Sequence, residues 1–81
     1  MSRYYFDIRE GDDFAPDEEG MELFSLKEVQ EEAARTLADM VRDTVRDEYD
    51  GAGEQLAIEV RDENGPVLQV KFTFEISRHK H

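Results

Sequence analysis

Ser25-Leu26-Lys27-Glu28-Val29-Gln30-Glu31-Glu32-Ala33-Ala34-Arg35-Thr36-Leu37 decides how the rest of the chain is read. Ser25 and Glu28 have the spacing of a capping box, in which a hydroxyl accepts an N–H three residues on and a carboxylate reaches back. Phe24 and Val29 stand at the positions of a hydrophobic staple across that start. Leu26, Val29, Ala33, Leu37, Met40, Val41 and Thr44 then recur at three- and four-residue steps on an otherwise charged background. That spacing predicts an amphipathic helix over 26–48, about 34 Å long. Asp50-Gly51-Ala52-Gly53 supplies its stop, with Gly51 suited to the left-handed position after a last turn.

On the N-terminal side of the helix the period changes from 3.6 to 2. Tyr4, Phe6 and Ile8 alternate with Tyr5, Asp7 and Arg9, which predicts a strand over 3–9. On the C-terminal side Leu56, Ile58 and Val60 alternate with Ala57, Glu59 and Arg61. Asp62-Glu63-Asn64-Gly65 then turns the chain into Leu68, Val70, Phe72, Phe74 and Ile76. This is a hairpin with strands over 55–61 and 67–76. The expected fold is α+β, a two-layer β-α-β-β domain with a three-stranded, largely antiparallel sheet on one long amphipathic helix. The last strand, the longest and most apolar, is expected in the centre. Residues 10–24 are expected as an acidic loop, because Pro16 and Gly20 break regular structure there. Residues 77–81, with His79 and His81, are expected as a disordered basic tail.

Composition excludes several functions. Eighty-one residues make a single domain over 1–81, which buries roughly 63% of its surface on folding. The net charge of −11 comes from 21 acidic and 10 basic side chains and repels a phosphate backbone, so direct nucleic-acid binding is disfavoured. The absence of cysteine excludes a disulfide scaffold, a thiolate metal site and a thiol nucleophile, and the cytoplasm is the expected compartment. No stretch resembles a signal peptide or a membrane span, so no membrane partner is expected. No catalytic, cofactor or metal residues are assigned. Ser25 has no histidine in sequence reach, and its capping position already accounts for it.

The candidate interaction surface has two parts. Residues 10–22 hold seven carboxylates and no base, among them Asp12, Asp13, Asp17, Glu18, Glu19 and Glu22. They suit a basic protein partner. Weak calcium binding is the alternative, although the Asp13-Ala15-Asp17 spacing with Glu18 following does not meet the EF-hand pattern. The second part is the sheet face opposite the helix, with Tyr5 and Val67 outward and nothing expected to cover it. That face, or a strand edge, is a candidate homodimer contact.

Arg3-Tyr4-Tyr5-Phe6-Asp7-Ile8, Gly11, Pro16-Asp17-Glu18-Glu19-Gly20, Glu22-Leu23 and Ile58-Glu59-Val60-Arg61-Asp62-Glu63-Asn64-Gly65 together resemble a family of short uncharacterised proteins of alphaproteobacteria. The resemblance runs to about Phe74 and implies a domain of unknown function with no catalytic residues to carry over. At fold level Asp17, Gly20, Ser25, Leu26 and Glu28 are also similar in order to the partial RNase H-like fold of HicB-type antitoxins. That likeness implies an acidic partner of a basic toxin, and it requires extended backbone at Asp13–Ala15 and Met21–Leu23. The expected function is therefore a small, acidic, non-enzymatic interaction or regulatory module.

Overall fold

The helix starts where the capping box sets it. In a computed structural model, which describes residues 2–46 and 54–74, Ser25 Oγ accepts a hydrogen bond from the Glu28 N–H at 3.2 Å. The Ser25 carbonyl accepts from the Val29 N–H at 3.1 Å. Glu28 Oε1 reaches back one residue further than the motif requires and accepts from the Phe24 N–H at 2.7 Å. The helix, α1, spans Leu26–Arg46. The end of the expected helix, the Gly51 stop, the end of the last strand and the 77–81 tail lie outside the described residues.

Two details of this start differ from expectation. Phe24 is 74% exposed and Leu26 59% exposed, so neither the staple nor the first residue of the apolar stripe is buried. Leu23 packs against the core instead. One residue of chain direction at the strand-to-helix junction decides which apolar side chain goes inward.

Three long strands follow the alternation: β1 over Ser2–Glu10, and then, past two short strands, β4 over Glu54–Asp62 and β5 over Gly65–Phe74. The short ones are β2 at Asp13–Ala15 and β3 at Met21–Leu23. The sheet is thus five-stranded and antiparallel throughout, not three-stranded. Its order is β2-β1-β4-β5, with β3 pairing β1 beside β2. The expected 10–24 loop is in fact two strands and the Pro16–Gly20 connection between them. Three residues are too few to show a period of two, and the breakers Pro16 and Gly20 fall in the connection rather than in either strand.

β4, not the last strand, occupies the centre, between β1 and β5. Burial explains the order. Leu56, Ile58 and Val60 of β4 are all buried to within 1% of complete, whereas Leu68 and Val70 of β5 are only half-buried. A long apolar run records contact with the helix layer and does not by itself say which strand has neighbours on both sides. Val29 and Ala33 of α1 meet Ile58 and Val60 to form the core, with Tyr4, Phe6, Ile8, Leu37 and Met40 around it. Each fully buried aliphatic side chain here contributes about 1.5–3 kcal/mol.

The β4–β5 register slips between Val60 and Arg61, so that Val60 faces Leu68 and Arg61 faces Pro66. Val67 is the extra residue of this bulge. Arg61 alternates with buried Val60 along β4 and so lies on the face away from the helix, opposite Tyr5 of β1.

Candidate functional site

The Tyr5–Arg61 and Asp7–Glu59 pairings put Tyr5, Asp7, Glu59 and Arg61 on one face of the sheet, opposite the core. Arg61 Nε donates to Asp7 Oδ2 at 2.9 Å, and its guanidinium carbon lies 4.4 Å from the centre of the Tyr5 ring. Asp7 is only 5% exposed, although the face was expected to be open. What covers it is the Pro16–Gly20 connection.

Asp17 holds that connection in place. Its backbone N–H donates to Asp7 Oδ1 at 2.8 Å, and its carbonyl accepts from Arg61 Nη2 at 3.0 Å. Its side chain turns the other way. Oδ2 accepts from the Phe6 N–H at 3.1 Å, and Oδ1 accepts from the Glu19 and Gly20 N–H groups at 3.1 and 3.2 Å. Phe6 lies in the gap of the β1 edge between Ile8, which pairs β2, and Tyr4, which pairs β3. The carboxylate therefore supplies the acceptor that a strand would supply there. Burial acts to raise the Asp17 pKa, but the three N–H groups and the Arg61 charge outweigh it and hold the carboxyl below its ordinary value.

Gly20 completes the clasp. Its φ of +73° is in the left-handed region, and a Cβ there would stand 2.9 Å from Arg3 Cγ, 2.9 Å from Tyr5 Cε1 and 3.0 Å from the Tyr4 carbonyl oxygen. Only glycine combines that conformation with that approach. Further along the same face Arg9 donates to Glu59 at 2.9 Å and lies 4.6 Å from the Phe14 ring centre, while Gln69 also donates to Glu59, at 3.2 Å. The face is thus laced by side-chain bonds rather than bare.

The acidic residues do not form one surface. Asp12 and Asp13 lie exposed at the turn and first residue of β2, Glu18 and Glu19 are exposed on the connection, and Glu22 is on β3, paired with Arg3 at 3.4 Å. Asp17 is turned inward. Tyr5 is half-buried beneath Arg61 and against Gly20, whereas Val67, expected outward, is turned at the bulge to pack against the core while still lining a shallow cleft with Asp7, Arg61, Pro66 and Gln69. Among the described residues no three His, Asp or Glu side chains come together to hold a metal ion, so the calcium alternative has no site to rest on.

A surface absent from the expectations lies where β3 runs into α1. Among the described residues, Met21, Phe24 and Leu26 are three of the four large apolar side chains that stand exposed, and they fall within six residues. Around Met21 and Phe24 lie Glu22, Glu28, Glu31 and Glu32, with Arg35 paired to Glu32. The signal was available in the run Met21-Glu22-Leu23-Phe24-Ser25-Leu26, but reading Phe24 as a staple assigned it to the interior.

No helix among the described residues is long and apolar enough to cross a membrane. The model of the family described as "Domain of unknown function (DUF6894)" matches residues 3–73, and the chain belongs to that family. No curated protein and no solved structure matches it. The extended segments required by the antitoxin likeness are present as β2 and β3, but no matching structure supports that likeness, and it carries no function here.

Proposed function

We propose that this DUF6894-family chain is a non-enzymatic protein-interaction module that docks a basic, amphipathic segment of a protein partner at the β3–α1 junction. The observation that carries the reading is the exposure of Met21 (41%) and Phe24 (74%) in a cleft lined also by Glu22, Glu28 and Glu31, with Leu26 (59%) exposed two residues further on. Apolar side chains grouped inside a charged rim mark a contact site rather than ordinary surface scatter. The rim is net acidic on a chain of net charge −11, so the partner's flanking charges are basic.

The residues Asp7, Asp17 and Gly20 have a different place in this reading. They belong to the pattern Arg3-Tyr4-Tyr5-Phe6-Asp7-Ile8, Gly11, Pro16-Asp17, Gly20, Glu22-Leu23, which we propose as a family signature maintained for folding. The proposed setting is the cytoplasm of alphaproteobacteria, where a cysteine-free chain meets no redox constraint.

The test is an NMR titration of the whole chain with a panel of Lys/Leu-rich amphipathic peptides and acidic counterparts. Basic peptides are expected to shift the amides of residues 21–32, with affinity falling as salt rises. Phe24→Ala should weaken that binding about tenfold while leaving the fold intact, since the ring is exposed. Shifts spread over the molecule, or an affinity unchanged in Phe24→Ala, would remove the site.

A further inference from the structure

The sheet ends at β5, and among the described residues no strand pairs its outer side. β5 runs ten residues, Gly65–Phe74, and carries a single charge, Lys71. Past the bulge, from Leu68 onward, this edge strand is regular and nearly uncharged, and such an edge is a template for another strand. Beside it Ala34, Leu37, Ala38 and Val41 of α1 form, with Val70 and Phe72, a groove of about 350 Å³ whose lining among the described residues is apolar. Strand edge and groove lie at the sheet edge opposite the β3–α1 surface.

We infer that this edge binds a second copy of the chain, β5 against β5 in antiparallel pairing about a two-fold axis at Val70. The charge distribution selects the partner. Two copies of a chain of net charge −11 repel over most of their surface, and Gly65–Thr73 is a stretch without one carboxylate.

The β5 sequence selects the register. Centred on Val70, the helix-side residues pair as Val70 with Val70 and Leu68 with Phe72, all apolar. On the opposite face Gln69 pairs with Lys71, and no like charges meet. Centring on Lys71 places two ammonium groups opposite each other. Centring on Gln69 draws Pro66, which has no N–H to give, deeper into the ladder opposite Phe72. In the Val70 register the two helices lie on the same side of a continuous sheet, and their small residues Ala34 and Ala38 let them approach across the axis. A dimer built this way presents two β3–α1 surfaces and binds a repeated or dimeric partner with avidity.

The experiment is sedimentation equilibrium of the full chain from micromolar to millimolar concentration, in moderate salt that screens the net charge. A reversible monomer–dimer equilibrium is expected. Gln69→Lys places a lysine opposite Lys71 twice across the axis and should weaken the dimer about five- to tenfold, while its monomer keeps the contact with Glu59. Gln69→Glu should strengthen it by a similar factor. Ala38→Glu, at an exposed helix position, should abolish it. A monomeric mass throughout the range overturns the inference. A dimer indifferent to all three substitutions overturns it equally, because association then uses another surface. Far-UV circular dichroism of each variant confirms that the monomer is folded.

Discussion

The two long edges of the sheet are finished in opposite ways. Along β1, two three-residue strands and one carboxylate occupy consecutive stretches of the edge, and the connection between them folds over the outer face to bury Asp7. Along β5, a strand regular from Leu68 onward ends the sheet among the described residues, beside an apolar groove. A chain this small has little apolar area to spare. It closes one edge with hydrogen bonds to a charged group, which are roughly twice as strong as neutral ones, and among the described residues leaves the other without a strand beside it. The contrast separates residues that hold the fold from residues available for contact. The acidic residue that looks most like a docking determinant, Asp17, belongs to the first kind.

The largest effect expected from breaking this contrast is at Gly20. Gly20→Ala imposes a left-handed backbone on alanine and drives its Cβ against Tyr5 and the Tyr4 carbonyl, costing about 3 kcal/mol in urea unfolding. Gly11 is the control on the same edge. Its φ is +57° but a Cβ would meet nothing within 4 Å, so Gly11→Ala should cost only about 1 kcal/mol.

Asp17→Ala removes three acceptor contacts at once and should cost about 2 kcal/mol in the same assay. The charge of Asp17 gives a pH signature whose sign follows from its lowered pKa. A carboxyl held lower in the folded state than in the unfolded chain adds stability that is complete above about pH 4, its unfolded pKa, and is lost as pH falls through the folded value. Thermal melts should show that acid-side loss in the native chain and a smaller one in Asp17→Asn. The smallest effects belong to the other edge and to the junction. Gln69→Lys and Phe24→Ala should each change monomer stability by less than about 0.5 kcal/mol, because both side chains are exposed.

Much of this architecture was legible in the residues. Ser25 and Glu28 place the helix start at Leu26, and alternation marks β1, β4 and β5 to within two residues at the described ends. Strand order was not legible, because alternation says which face of a strand is apolar and nothing about its neighbours. β2 and β3 were hidden by their length. Asp7 was read as an outward polar residue of a half-wet sheet, and only the Tyr5–Arg61 register shows that a cation stands beside it. Of the surface first expected, Tyr5 and Asp17 are joined in the clasp, Asp12, Asp13 and Glu22 are spread along the β1 edge, and Val67 sits at the bulge. The Met21–Phe24–Leu26 surface was obscured by a plausible rule, the hydrophobic staple, that the chain does not follow.

Hydrogen exchange at the Phe6 amide tests the division of the two edges most directly. That N–H has no strand opposite it, and its acceptor is the Asp17 carboxylate. Phe6 is expected to exchange slowly in the native chain and to become selectively fast in Asp17→Ala, while Ile58 at the centre of β4 keeps a protection limited only by global unfolding. A Phe6 amide that exchanges freely in the native chain, or one whose protection survives in Asp17→Ala, would contradict that division.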